Sequence, residues 1–90
     1  MATTEEILAE RGKVYGDFTN HAKITQTLKS VAQCWHVQSD GTSKLTPTQR
    51  EALDMIFHKI GRILNGDPNH RDSWDDIAGY AKLAADRCKQ

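Results

Sequence analysis

The sequence is poor in the residues that build β-sheets or cross-link secreted proteins. Its 90 residues include 2 Cys, 2 Pro and 7% aromatic side chains, and valine occurs 3 times without an alternating apolar and polar run. Strands favour such alternation and β-branched residues, so these absences argue against a β-fold. Cys34 and Cys88 lack the Cys-x-x-Cys spacing of metal and redox sites, which predicts free thiols.

An excess of charge of one sign is also missing. The chain carries 12 Lys and Arg against 12 Asp and Glu. Proteins that bind duplex DNA usually present a net basic surface, so nucleic-acid binding is disfavoured. No apolar run approaches the roughly 20 residues that span a bilayer. The acidic N-terminus Met1–Glu6 lacks the cationic start of a signal peptide, so we expect a cytoplasmic protein without a membrane partner.

The chain is small for a protein that folds alone. Burial of apolar surface in a chain of 10.1 kDa would contribute about 140 kcal/mol to folding. Ordering the backbone and side chains would cost about 135 kcal/mol. These two free energies nearly cancel, which predicts a marginal monomer that is stabilised by forming a homo-oligomer.

Signals for helix starts recur along the chain. A capping-box spacing that begins at Thr3 predicts a short first helix ending near Arg11, where Gly12 interrupts the pattern. Asp17 is a predicted N-cap for a second helix over 18–37, because its side chain can accept hydrogen bonds from the first free N–H groups. Apolar residues recur at helical spacing along that second segment. They are Ile24, Leu28, Val31 and Trp35.

Two further helices follow. Thr46 and Pro47 combine an N-cap with a proline in the first turn, and Gly66 is the predicted end of the third helix. The apolar residues of this helix fall within an arc of about 140°. They are Ala52, Leu53, Ile56, Phe57, Ile60, Ile63 and Leu64. The last helix is predicted to begin at Ser73, and its apolar stripe comprises Trp74, Ile77, Ala78, Ala81, Ala84, Ala85 and Cys88.

These patterns together predict an all-α fold. We expect a single domain over residues 1–90, built as a small helical bundle with one short N-terminal helix and three longer helices. Alanines on the last helix would let another helix approach closely. Because the monomer is marginal, we expect oligomerisation to complete the bundle.

Acidic residues cluster at the start of the last helix. Asp72, Asp75 and Asp76 could bind a divalent cation, which prefers oxygen ligands, and Asp72 and Asp76 are the candidate metal ligands. The alternative is that these carboxylates cap the helix and offset its dipole. Glu51 and Asp54 form a second pair, which could join the first only in a groove made with another subunit. Otherwise this second pair belongs to a solvated charged face.

Basic and aromatic residues near the helix junctions are further candidates. Lys59 and Arg62 are one helical turn apart and could hold phosphate, or could form surface ion pairs. The segment from Arg11 to Asp17 could bind an anion on backbone N–H groups while Tyr15 stacks on a base. The alternative for that segment is a plain connector whose Tyr15 packs on the core.

These residues resemble a family of short phage and prophage proteins of unknown function. Its pattern joins R-x-x-x-Y-G-D, K-x-x-R and H-x-D-x-W-x-D-x-x-G-Y. The matching residues are Arg11, Tyr15, Gly16, Asp17, Lys59, Arg62, His70, Asp72, Trp74, Asp76, Gly79 and Tyr80. The layout is similar, more distantly, to MazG-like all-α nucleotide pyrophosphohydrolases, which implies an oligomer and Mg²⁺. The chain lacks the full set of glutamates of those enzymes, and this difference argues against hydrolysis more than against nucleotide binding.

The first hypothesis is a phage-type protein that binds a nucleotide-like phosphorylated ligand at a subunit interface, in the cytoplasm of the host cell. The predicted ligand-binding residues are Arg11, Tyr15, Asp17, Lys59, Arg62, His70, Trp74 and Tyr80. With Mg²⁺ on Asp72 and Asp76 the protein would be a nucleoside triphosphate pyrophosphohydrolase. Without turnover it would be a sponge that sequesters a nucleotide signal of host immunity. A third hypothesis is a protein-interaction module that uses the stripe Asp76, Tyr80, Leu83 and Arg87.

Overall fold

The computed structural model describes residues 1–88 and is helical throughout. Four α-helices follow one another along the chain: α1 (Thr4–Tyr15), α2 (Phe18–His36), α3 (Pro47–Asn65) and α4 (Arg71–Ala85). Apart from an isolated bridge between Val37 and Ser43, this part of the chain has no β-structure. The predicted all-α class is confirmed. Within the same residues, no helix combines the length and the hydropathy that crossing a bilayer requires.

Side-chain caps begin the first three helices where the sequence predicts them. The side chains of Thr3 and Asp17 each accept a hydrogen bond of 3.1 Å from an N–H group of the first turn. Thr46 and Gln49 cap each other reciprocally, and Pro47 occupies the first turn of α3. These local bonds satisfy N–H groups that have no partner inside a helix.

Two predicted helix boundaries are wrong. α1 continues through Gly12 to Tyr15, because a glycine inside a helix costs only about 1 kcal/mol and leaves the hydrogen-bond ladder intact. The helix ends at Gly16, whose φ of 80° lies in the left-handed region that glycine adopts readily. α4 begins at Arg71, before the predicted Ser73, and Ser73 is buried inside the packed structure.

The helices form a layer with α3 in the middle. α2 packs on one side of α3 and α4 on the other, and α2 and α4 do not contact each other in the described part of the chain. α1 contacts α2 and α3 at one end of this layer. The molecule is elongated, with extents of 47 × 26 × 24 Å. Its radius of gyration is 15.4 Å, against about 12 Å for a compact chain of this length.

The seams between the helices are made by small and polar side chains. At the α2–α3 seam, Gly61 is so close to α2 that a Cβ atom there would lie 2.6 Å from Cγ2 of Thr25. At the α3–α4 seam, Ala52 is buried and Lys59 forms an ion pair with Asp76. Ala52 is the one hydrophobic residue that is buried among the described residues, so the large apolar side chains remain partly exposed.

A group of backbone contacts, which we call the turn clamp (Tyr15, Asp17, Asn65 and Gly66), fixes the α1–α2 turn against the end of α3. The Asn65 side chain donates hydrogen bonds to the carbonyl oxygens of Tyr15 at 3.1 Å and Asp17 at 2.7 Å. Gly66 lets the two backbones approach, since a Cβ atom there would lie 2.5 Å from Cα of Tyr15. The turn clamp thereby holds Tyr15 beside the C-terminal part of α3.

Candidate functional site

A surface cavity of about 490 Å³, which we call the arginine cavity, opens where α1 meets α2 and α3. Its chemistry is carried by cationic, aromatic and imidazole side chains. They are Arg11, Tyr15, Phe18, His21, His58 and Arg62. Each of the three helices contributes to this set, so the cavity depends on how they pack and not on one local segment.

Arg62 and Tyr15 form the centre of the arginine cavity. The guanidinium carbon of Arg62 lies 4.0 Å from the centroid of the Tyr15 ring, within the range of a cation–π interaction. The Tyr15 hydroxyl is 3.5 Å from Nε2 of His70, and the two rings meet edge to face. Nε2 of His70 is in turn 3.8 Å from a carboxylate oxygen of Asp72. The Tyr15 ring therefore orients the guanidinium and links it to the α3–α4 turn.

The two arginines of the cavity have no carboxylate partner among residues 1–88. The salt bridges in the described part of the chain involve other residues, so neither Arg11 nor Arg62 is neutralised by a carboxylate. A guanidinium offers five N–H donors in a planar fork that fits phosphate oxygens. Phe18 lines the same cavity, is 77% exposed and offers a ring face for stacking. The arrangement can therefore bind an anionic group attached to a planar ring.

His21 and His58 form an uncharged pair in the wall of the cavity. Nε2 of His21 and Nδ1 of His58 are 3.2 Å apart, and the rings meet edge to face. Burial and the nearby Arg62 charge lower the pKa of His58 to about 4 and also lower the pKa of His21. The nearby Gly61 backbone acts in the opposite direction and raises the pKa of His21, but its effect is smaller. Nδ1 of His21 is buried and forms no hydrogen bond within the described residues. The positive charge of the cavity at neutral pH therefore lies on its arginines.

The structure brings together four of the residues that the sequence predicts to bind a ligand. They are Arg11, Tyr15, Arg62 and His70. All four come from one chain, so this arrangement forms without a second subunit. Asp17 is adjacent, but its carboxylate caps α2 and its carbonyl oxygen is held by Asn65.

Three other predicted ligand-binding residues lie elsewhere. Nζ of Lys59 is 3.0 Å from a carboxylate oxygen of Asp76, and the Lys59 side chain is 11% exposed at the α3–α4 seam. The ion-pair alternative therefore describes Lys59, whereas Arg62 forms no such pair with any residue that the structure describes. Nε1 of Trp74 donates a 2.8 Å hydrogen bond to a backbone carbonyl of the α3–α4 turn. Tyr80 lines a separate groove beside the start of α3.

The acidic residues do not meet in one place. Because α3 and α4 are antiparallel, Glu51 lies beside Tyr80, which is about 12 Å along α4 from Asp72. Asp76 is engaged with Lys59, and Asp72 is exposed. Across residues 1–88, no group of three or more His, Cys, Asp or Glu side chains is arranged to hold a metal ion. An Mg²⁺ site on Asp72 and Asp76 stays a prediction.

Sequence reasoning missed His21, His58 and Phe18 as members of a site. In the folded chain His21 is buried and His58 is partly buried. His58 and Arg62 are four positions apart on α3, and this spacing indicates that they share a helix face. The contact between His58 and His21 joins residues 37 positions apart, so it leaves no local pattern in the sequence.

The fold and the cavity together define a small all-helical protein with three helices in a layer and a cationic, aromatic cavity at one end. The chain belongs to the family DUF6378, a domain of unknown function, whose sequence profile matches residues 1–88. A search of curated proteins and a search of solved structures each found no match. The family carries no assigned activity, so a functional conclusion depends on the chemistry of the cavity.

Proposed function

We propose that the protein binds a nucleotide-like phosphorylated ligand in the arginine cavity. The observation that carries this proposal is the Arg62 guanidinium, which is stacked on Tyr15 and lines the same cavity as Arg11. Neither arginine has a carboxylate partner among the described residues. A guanidinium fork binds two phosphate oxygens at once. The ring of Phe18 and the apolar side chain of Leu8 give a base a surface against which to stack.

The size of the cavity supports a small ligand. Its volume of about 490 Å³ lies within the range of about 300–1,000 Å³ that small-molecule sites occupy. The uncharged His21–His58 pair presents imidazole nitrogens without adding positive charge. A ligand with one phosphorylated end and one planar ring therefore matches both the charge and the apolar surface of the cavity.

Binding without turnover is the version that the geometry supports better. Mg²⁺ prefers oxygen ligands, whereas none of the described residues that line the cavity is a carboxylate. The lack of carboxylates in the described lining favours a protein that sequesters a nucleotide signal over one that hydrolyses it with Mg²⁺. An Mg²⁺-dependent pyrophosphohydrolase, a phage-type origin, the likeness to MazG-like enzymes and a cytoplasmic location stay predictions from the sequence.

A second candidate function, a protein-interaction module, has one supporting observation. A groove beside the start of α3 is lined by Tyr80, Leu83 and Arg87, and Leu83 is exposed within it. Single exposed apolar residues are common on folded proteins, however. We therefore favour the phosphorylated ligand.

Isothermal calorimetry with nucleoside mono-, di- and triphosphates and cyclic dinucleotides, each with and without Mg²⁺, tests the proposal. We expect one nucleotide class to bind the wild-type protein. Arg62→Ala should weaken that binding roughly 10- to 100-fold, because a hydrogen bond to a charged group contributes about 1.5–3 kcal/mol. Arg71→Ala is the matched control, since Arg71 is exposed and pairs with Asp75 outside the cavity.

Product analysis of the same mixtures separates the versions of the proposal. Unchanged nucleotide supports sequestration, and pyrophosphate release that needs Mg²⁺ and is lost in Asp76→Asn supports hydrolysis. Equal binding by Arg62→Ala and Arg71→Ala, or no binding of any nucleotide, would contradict the proposal. Capture of one protein partner that is lost in Leu83→Glu, with no nucleotide bound, would favour the interaction module.

A further inference from the structure

One side of the α2–α3–α4 layer is apolar, and we call this side the apolar face. At about 100° per residue, side chains from all three helices point towards it. They are Val31 and Trp35 of α2, Ile60 and Leu64 of α3, and Trp74 and Ala81 of α4. His58 and Arg62 lie about 160–200° around α3 from Ile60. The apolar face is therefore on the side of the layer away from the arginine cavity.

Most of the apolar face is exposed in a single chain, and Ile60 is partly buried. The exposed fractions are 57% for Val31, 78% for Trp35, 66% for Leu64 and 54% for Trp74. Within the described residues no side chain is fully enclosed, and Ala52 is the one buried hydrophobic residue. Folded proteins normally enclose a close-packed core of large apolar side chains. This chain does not form such a core from its own helices.

The solvent-accessible surface of the chain is larger than that of a typical folded monomer of the same mass. The chain exposes 6827 Å², whereas a folded monomer of 10.1 kDa exposes about 5,300 Å². The difference is about 1,500 Å², and each partner in a standard stable interface loses about 800 Å². The chain therefore has more uncovered surface than a stable dimer needs.

The described part of the apolar face also carries no charge. Among the described residues of α2, α3 and α4, no Asp, Glu, Lys or Arg points to it. The core of a protein interface is depleted in charged residues, and an obligate interface resembles a domain core cut in half. An uncharged apolar surface offers no complementary charge to a charged partner and is complementary to a copy of itself.

We propose that a second copy of this chain covers the apolar face with its own apolar face. The two layers pack against each other about a two-fold axis, so that each contact occurs twice. Ala81 is small and lets the helices of the second copy approach closely. The hydrophobic core that one chain lacks then forms between the two layers.

The dimer leaves both arginine cavities open to solvent. Arg62 and His58 point away from the apolar face, so the second copy adds no residue to the cavity and does not block it. Self-association is therefore independent of the proposed ligand. A test of the dimer needs no nucleotide, and its failure is distinct from a failure of ligand binding.

Sedimentation equilibrium of the full chain over a wide range of concentration tests the proposal. We expect the wild type to have twice the chain mass of 10.1 kDa. Leu64→Glu should give monomer or unfolded chain, because the dimer would bury its carboxylate without a partner. Leu83→Glu is the matched control, since Leu83 is 48% exposed but lies on the opposite side of the layer, and this variant should remain dimeric.

Tryptophan fluorescence of the wild type gives a second readout that needs no variant. Both tryptophans of the chain, Trp35 and Trp74, lie on the apolar face, so their emission should shift to the red when dilution dissociates the dimer. A single-chain mass at every concentration, with the emission of exposed indole throughout, would overturn the proposal. Equal dissociation by Leu64→Glu and Leu83→Glu would also overturn it, as would a monomer that binds lipid vesicles or a different protein through this face.

Discussion

On one side of the α2–α3–α4 layer, α1 and the turn clamp help to form the wall of an open cavity, whereas on the other side no described residue covers the apolar face. The seams bury polar groups such as His21 and Lys59, while Trp35 and Leu64 are exposed. Folded monomers usually show the reverse distribution. The difference indicates that a single chain completes the cavity but does not complete the hydrophobic core.

The turn clamp should be the most sensitive part of the cavity side. Gly66→Ala should lower the free energy of unfolding by about 3 kcal/mol, because the added Cβ would overlap the Tyr15 backbone, which cannot move aside as a side chain can. Gly79→Ala is the control, since its Cβ would meet no atom within 4 Å and should raise that free energy by up to about 1 kcal/mol. Urea unfolding measures both. Similar effects at the two glycines would show that the turn is not tightly held.

The Lys59–Asp76 pair should be the next most sensitive feature. Asp76→Asn should lower the free energy of unfolding by about 1–3 kcal/mol, because the shielded Lys59 ammonium would lose its charged partner. Asp86→Asn breaks the exposed Lys82–Asp86 pair and should cost about 0.5 kcal/mol or less. Urea midpoints of the two variants test this difference. Equal costs would mean that the α3–α4 seam is as solvated as the outer surface.

The His21–His58 pair should produce the smallest effect, a pH dependence of stability. The pKa of both imidazoles in the folded chain lies below the ordinary value of 6.5, and that of His58 is about 4. The unfolded chain therefore binds more protons between these values, so the contribution of the pair is complete above about pH 6.5 and declines as the pH falls towards 4. His58→Gln should reduce the loss in urea midpoint between about pH 7 and pH 5. A loss equal to that of the wild type would exclude the pair as its source.

Local signals explain why the helices could be predicted from the sequence. The caps at Thr3, Asp17 and Thr46 act on N–H groups within the next turn, so neighbouring residues are enough to identify them. Helical spacing likewise predicted the apolar arc of α3. It could not show that most of this arc is only partly covered and that Leu64 is exposed, because coverage depends on where the other helices pack.

Contacts between helices explain why the site could be predicted only in part. Lys59 and Arg62 lie one turn apart on α3, so the sequence predicted the same role for both. In the folded chain, however, Lys59 contacts α4 and Arg62 contacts Tyr15 of α1. The sequence motifs pointed to Tyr15 and His70, whose contact joins residues 55 positions apart. No short sequence pattern relates His21 to His58, so this part of the cavity could not be predicted from the sequence and is defined by the fold.

An NMR titration with nucleoside mono-, di- and triphosphates and cyclic dinucleotides tests ligand binding in the arginine cavity without a variant. We predict that the Nε–H signal of Arg62 and the imidazole signals of His21 and His58 shift and saturate with the same affinity. The Nε1–H signal of Trp74, on the far side of the layer, should stay in place. Signals of Arg62 and the two histidines that do not move at saturating nucleotide, or shifts confined to the groove at Tyr80, would contradict a phosphate-ligand site here.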